Sequence, residues 1–332
     1  MSSSLEKGII KFTYTGALKT SEENCKNDLL LRIFEKASGC KLIYVDSVKE
    51  SDFVLAYPYG SSDFKFKIKW TITFILSRIF AVNKTSLLRW ILGVGNKPTL
   101  FVSHENLDRP YWWGTYGKLL RYSHLPRLTF WPKAIDPKGA RFPYWYNYIQ
   151  WDAYPRENFY TRFGRLYKIH ELMTPLKSNL EREKKAICIS SHLDYPRLSL
   201  LENLKLSIPV DLYGNAGVPF LDDKYSLMTK FRYAFCPENS VGYGYDTEKI
   251  PEAWVAGCIP ICGYLNPFSD FNPEILKLYE GDEELLLNTP LLLREPTLNE
   301  IEKYVADFIQ QHHIGDAHLQ RDPSISRRVG LH

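Results

Sequence analysis

At 332 residues the chain exceeds what one hydrophobic core usually encloses, so two domains are expected. With 45% hydrophobic and 24% charged residues it falls in the ordinary globular class, which excludes disordered and fibrous compositions. A formal net charge of +4 suits an anionic small ligand or an acidic membrane surface, and is too small and too dispersed for nucleic acid.

Six cysteines stand at 25, 40, 188, 236, 258 and 262, without a CxxC pair or the dense spacing of a disulfide scaffold, which points to a reducing compartment. The first sixteen residues carry no basic segment followed by a long apolar run, so neither a signal peptide nor a membrane anchor is expected there, and the predicted location is cytoplasmic. Aromatics make up 14% of the chain; they read first as core and surface packing, and only second as faces for sugar rings.

In chain order, β-rich runs are predicted at 9–14, 42–45, 53–57, 100–102 and 128–131, with a helix over 27–36 from the spacing of Leu29, Leu30, Ile33 and Phe34. Between them, 61–90 carries Lys65, Lys67, Lys69, Arg78, Lys84 and Arg89 against the single acid Asp63, interleaved with Phe64, Phe66, Trp70, Phe74, Phe80 and Trp90. Its apolar centre is too short and too charged to span a bilayer; it reads either as a core helix with a solvated basic edge or as a peripheral contact with an anionic inner-membrane surface. The second half repeats the alternation, with strands at 187–190, 208–213, 233–236 and 259–262 and helices at 198–206 and 251–255. Strands alternating with helices imply parallel sheets of Rossmann type, with ligands at the carboxyl ends of the strands. The polar stretch 157–183, poor in β-branched residues, places the boundary near 160–167, giving domains 1–163 and 164–332. A closing helix is predicted over 298–311, with Leu298, Ile301, Val305, Phe308 and Ile309 on one face, and a loosely held tail after it.

The densest chemistry lies at 231–273, FRYAFCPENSVGYGYDTEKIPEAWVAGCIPICGYLNPFSDFNP: a strand, a polar glycine-rich turn, a helix opening on Glu248-Lys249, and a second strand. Glycines at 242 and 244 let a ligand approach the backbone, Asp246 or Thr247 is expected to cap the helix, and the lysine with the helix entrance suits a pyrophosphate. No DxD metal motif is present; Asp222-Asp223 reads as a helix entrance, so charge on a departing diphosphate falls to Lys249 and then Arg197.

The run Glu238-Asn239-Ser240, Gly242-Tyr243-Gly244-Tyr245, Thr247-Glu248-Lys249, with Ala256-Gly257 and Ile259-Pro260 behind it, resembles the signature of the GDP-fucose-dependent α1,3/4-fucosyltransferases, glycosyltransferase family 10, especially the bacterial members. The resemblance covers about 45 residues and departs from the family at Pro237 and Asp246. It implies a GT-B architecture, α/β with two Rossmann-like domains facing across a cleft, the acceptor in the N-terminal domain and GDP-fucose in the C-terminal one. It implies Lys249 and Tyr245 at the phosphates, Glu248 at the ribose or the cationic sugar, and Glu238, Asn239, Ser240 and Thr247 in the donor pocket. Arg197, in a block similar to the family's second characteristic region, would also contact the diphosphate.

The stretch TLFVSHENLDRP resembles the family's first short motif, a glutamate and asparagine facing the acceptor, which makes Glu105 the expected catalytic base, with Asn106 and His104 on the acceptor side beside it. His104 stands where the family commonly has glycine, as a rival base, a modulator or a structural residue. Arg141, Pro143, Tyr144 and Trp145 loosely match a further stretch and would line the acceptor side. The expected activity is inverting transfer of L-fucose to a hydroxyl of N-acetylglucosamine, α1,3 or α1,4, in a surface glycan such as a lipopolysaccharide O-antigen. No metal is expected to be required, with stimulation by Mn or Mg left open. Two alternatives stand beside it: the same machinery using another nucleotide-activated deoxysugar, and a non-catalytic, membrane-associated glycan-binding protein.

Overall fold

The computed structural model describes residues 8–16, 28–58, 71–72, 75, 83–109, 112–156, 161–176, 181–214, 223–263, 266, 268–276 and 288–316. The chain divides into two compact units. The first holds residues up to Thr129, Lys133–Phe142 and the segment from Leu298; the second holds Phe130–Pro132 and Pro143–Thr297.

The first unit is built on six parallel strands, β1 (Ile9–Thr15), β2 (Lys41–Tyr44), β3 (Phe53–Ala56), β4 (Thr99–Ser103), β5 (Arg127–Thr129) and β6 (Ala140–Arg141), in the order β2-β1-β3-β4-β5-β6. Helices α1 (Leu29–Ser38), α2 (Lys84–Leu92) and α3 (Trp112–Arg121) make the crossovers. The central strands β3, β4 and β5 are buried along their whole length, as a parallel sheet covered on both faces requires. Helix α1 starts where the Asp28 side chain accepts from the Leu31 N–H at 3.1 Å and stops at Gly39, whose φ of 66° is left-handed. Phe34 on its buried face stacks on Phe53 of β3 at 4.8 Å.

The second unit carries four parallel strands, β7 (Ala186–Ile189), β8 (Val210–Tyr213), β9 (Tyr233–Phe235) and β10 (Ile259–Ile261), in the order β10-β9-β7-β8. Its helices are α4 (Ile169–Met173), α5 (Arg197–Lys205), α6 (Lys224–Met228), α7 (Lys249–Val255) and α8 (Pro273–Leu276), with a 3-10 turn at Tyr144–Tyr148. Pro260 lacks an N–H to donate and sits in the edge strand, where a proline is tolerated.

The sequence-based strands and helices recur within one or two residues, with β6, α3, α4, α8 and the 3-10 turn as additions. The boundary differs from the expected 163/164: the chain leaves the first unit after Phe142, and α9 (Asn299–Gln311) returns to it. Both differences have a packing cause. Trp145, Phe163 and Tyr167 are buried in the second unit, so the chain from Pro143 onward belongs to that core, the polar stretch that begins at 157 included. Helix α9 buries Ile301, Val305, Phe308 and Ile309 as its spacing predicted, and Phe308 meets Phe34 of α1 at 6.0 Å. The basic stretch 61–90 lies largely outside the described residues; its last part forms α2, with Leu87 and Leu88 buried and Trp90 exposed. Among the described residues no helix is long and apolar enough to cross a membrane.

Candidate functional site

In the second unit the strand order reverses between β7 and β9, the switch point at which open α/β sheets form a crevice at the strands' carboxyl ends. A cavity of about 250 Å³ lies there. Its floor is the end of β7, from Ile189 into Ser190, Ser191 and His192, and the end of β9, at Phe235 and Cys236. Four basic side chains face it, Arg162, Arg197, Lys224 and Lys249, against two carboxylates, Glu248 and Glu252; Asn239 completes the wall.

Lys249 is held by the turn that precedes it. Its ammonium donates to Glu238 Oε2 and to Thr247 Oγ1, both at 2.7 Å. The buried Glu238 carboxylate also accepts the Thr247 N–H at 2.8 Å and its hydroxyl at 2.7 Å. Burial works against the Lys249 charge, but the carboxylates of Glu238 and Glu248 outweigh it and hold its pKa above the ordinary lysine value. Glu248 is the mirror case: burial is overcome by Lys249 and Lys224, which hold it below the usual carboxylate range. Arg197 opens α5 and donates through Nε to the Pro237 carbonyl at 3.2 Å and through NH1 to the His192 carbonyl at 3.2 Å. Those bonds fix the guanidinium beside the loop after β7.

The structure therefore brings Arg197, Asn239, Glu248 and Lys249 to one cavity, while Glu238 and Thr247 support that wall from behind. Ser240 bonds Asn239 Oδ1 at 3.1 Å next to the wall. Tyr245 is buried against Phe130 with centroids 5.1 Å apart and is not part of the cavity lining. Gly244 is needed for its left-handed φ of 75°, and its N–H donates to Asn266 Oδ1 at 3.0 Å. Asp246 is buried and meets Asn266 Nδ2 at 3.5 Å, away from the cavity lining. The cap differs from expectation: Glu248 occupies it and makes no capping bond with its side chain, while the Thr247 hydroxyl donates to Glu238 and accepts from the Lys249 ammonium. With only seven residues in α7, the positive charge of the site rests on side chains.

In the first unit Glu105 follows β4, its N–H donating to Ser103 Oγ at 3.2 Å and its carboxylate 3.9 Å from Arg109. Asn106 is buried, its Oδ1 accepting from the Asp108 N–H at 2.9 Å. The ring of His104 packs edge-on against Phe142, 4.9 Å between centroids, and burial, only partly offset by a bond to the Phe142 backbone, lowers its pKa to about 4. A neutral, packed imidazole near neutral pH fits the structural reading of this residue. Arg141 lies in β6. Trp145 departs from its expected acceptor-side place: it belongs to the second unit and is 1% exposed, with Nε1 donating to Asp270 at 3.1 Å, so it is a core residue. Tyr144 is also in the second unit, its hydroxyl 2.8 Å from that of Tyr148.

Three charged cavity residues, Glu252, Lys224 and Arg162, escaped the sequence reading. Glu252 stands one turn beyond Glu248 on α7, and that spacing puts both on one face. Lys224 and Arg162 come from distant segments with no local signal. Asp223 does cap a helix, as expected, its carboxylate accepting the Ser226 N–H at 3.0 Å. Among the described residues no cluster of three or more His, Cys, Asp or Glu is arranged to hold a metal ion.

Two parallel, doubly wound α/β units on one chain define a fold of the GT-B class. Solved structures of α1,3-fucosyltransferase share it: two of them, one with GDP, align at TM-score 0.57 and 17% identity, and one with GDP-fucose at 0.53 and 16%, each over 94% of this chain and 92% of that one. No family model and no curated protein matches the sequence.

Proposed function

We propose that the protein is a fucosyltransferase that binds GDP-fucose in the second unit and transfers L-fucose to a hydroxyl of N-acetylglucosamine, α1,3 or α1,4, in a surface glycan such as a lipopolysaccharide O-antigen. The observation that carries this reading is the cavity at the β7–β9 switch point, where four cations face two carboxylates. That surplus of positive charge matches a nucleoside diphosphate sugar, whose two phosphates carry about two negative charges. The fold shared with structures solved with GDP and with GDP-fucose supports this donor over other nucleotide sugars.

In this reading Lys249 and Arg197 hold the diphosphate and stabilise it as it leaves. Glu248, kept ionised, accepts hydrogen bonds from the ribose or faces the cationic sugar. Glu105 takes the proton of the acceptor hydroxyl while its oxygen bonds the anomeric carbon and the bond from that carbon to the diphosphate breaks. One displacement on a β-linked donor yields an α-fucoside.

Incubation with GDP-fucose and lactosamine, Lewis-precursor and lactose acceptors, followed by NMR of the product, tests the reading. An α-fucosyl linkage to N-acetylglucosamine is expected. Glu105→Gln should lower kcat by about 10²- to 10⁴-fold while the KM for GDP-fucose stays near its original value. Release of GDP without a fucosylated product, or tighter binding of UDP-sugars than of GDP-fucose, would overturn it.

A further inference from the structure

A second lysine in the cavity has a carboxylate partner of its own. Lys224 opens α6, where its N–H donates to the Arg162 carbonyl at 3.1 Å and the next N–H, of Tyr225, to Phe163 at 3.0 Å. Its ammonium lies 3.1 Å from Glu252 Oε2, with the two side chains 15% and 4% exposed. The residue is thus fixed at its backbone and its tip, and both partners face the cavity that also holds Lys249 and Arg197.

The two lysine–carboxylate pairs differ in one respect. Glu238 stands behind the wall, with the N–H and hydroxyl of Thr247 as further donors, whereas Glu252 stands in the wall. Glu252 is surrounded by Glu248 and Lys249 at the start of its own helix, Lys224 of α6, Arg162, and the phenols of Tyr148 and Tyr167, both of which feel its charge. His170 and Glu171 of α4 lie with Trp254 and Val255 at a separate cavity, and β10, packed on the same helix, is Ile-Pro-Ile and brings no ionisable group. Burial, opposed by Lys224 and reinforced by Glu248, already brings the Glu252 carboxyl up to about 7.

A diphosphate entering this space is attracted by Lys224 and repelled by the carboxylate bonded to it. The conflict disappears if Lys224 turns to the phosphate and its former partner becomes neutral. Resting on the functional reading above, we propose that Lys224 is a further ligand of the donor diphosphate and that Glu252 takes up a proton from solvent as the diphosphate binds.

The test is calorimetric titration of the full-length protein with GDP-fucose, whose diphosphate diester has no ionisation near neutrality, in buffers of different ionisation enthalpy. At pH 7 the unaltered protein should take up about half a proton per donor bound, and its Kd should rise toward about tenfold per pH unit above pH 7.5. Glu252→Gln should abolish the uptake and flatten that pH dependence. Lys224→Met should raise Kd about tenfold and Lys224→Arg restore most of it. Binding with no proton uptake, or a Kd unmoved in Lys224→Met, would overturn the proposal and leave the functional reading standing. No binding of GDP-fucose by the unaltered protein would remove the functional reading and this inference with it.

Discussion

A lysine at the wall of a cavity keeps its charge only if its surroundings supply what water no longer does. For Lys249 the supplier is Glu238, itself fixed by three bonds of 2.7 to 2.8 Å. Removing the ammonium with Lys249→Ala should weaken GDP-fucose binding by about 1.5–3 kcal/mol, roughly 10- to 150-fold in Kd, as titration calorimetry would show. Glu238→Gln leaves Lys249 in place but unanchored, so its loss should appear in kcat/KM for the donor together with a lowered melting temperature. His104 makes the opposite case, a residue whose value lies in being uncharged. Its folded pKa, near 4, lies below the usual histidine value of 6.5, so in that window the unfolded chain binds the proton that the folded one refuses. Stability should therefore fall as pH drops from 6.5 to 4, by roughly 2–3 kcal/mol from this group, and urea unfolding of His104→Gln should show a shallower slope there.

At the scale of elements, the site depends on where two strands stop: β7 at Ile189 and β9 at Phe235 deliver Ser190 and Cys236 to the cavity floor. Those strands were legible because a run buried on both faces is nearly all apolar, and the turn after β9 was legible because its glycines and its Glu248-Lys249 pair stand at a helix entrance and its residues resemble a known family signature. What could not be read were pairings across the chain. Lys224 meets Glu252 twenty-eight positions away and Asn266 meets Gly244 twenty-two away, and neither partner carries a local pattern that names the other. Strand β6 was missed because two residues make no apolar run; it is sited by what lies around it. Arg127, the first residue of β5, forms a bidentate pair with Asp136 in the connection to β6 at 2.8 and 2.6 Å, the two side chains 1% and 2% exposed. Asp136→Ala would leave that guanidinium buried without its counter-charge, and thermal or urea unfolding should register a loss of about 3–5 kcal/mol. An unchanged midpoint would mean that Arg127 finds another acceptor.

On the scale of the whole chain, the expected boundary failed where composition and packing part company. Residues 157–183 look like a linker by their polarity, yet Phe163 and Tyr167 within them, and Trp145 ahead of them, are buried in the second unit, and α9 returns to the first through Phe308. A chain of two cores offers a way to locate the nucleotide without a crystal, because a ligand adds its binding free energy to the folded state of whatever holds it. At a hundredfold excess over Kd, GDP should contribute about 2.7 kcal/mol to that folded state. If the cavity at the β7–β9 switch point is the donor site, hydrogen exchange in the presence of GDP should slow at Ala186–Ile189, Tyr233–Phe235 and Lys249–Val255, the elements that form its floor and cationic wall. Lys249→Ala, if it weakens GDP as it should weaken GDP-fucose, should cut the added stabilisation at the same GDP concentration from about 2.7 to about 0.3–1.4 kcal/mol, since a 10- to 150-fold rise in Kd leaves the nucleotide at only about 0.7 to 10 times Kd. Protection appearing instead in elements that do not border the cavity would place the nucleotide elsewhere, and the assignment of Arg197, Glu248 and Lys249 to the donor would fall with it.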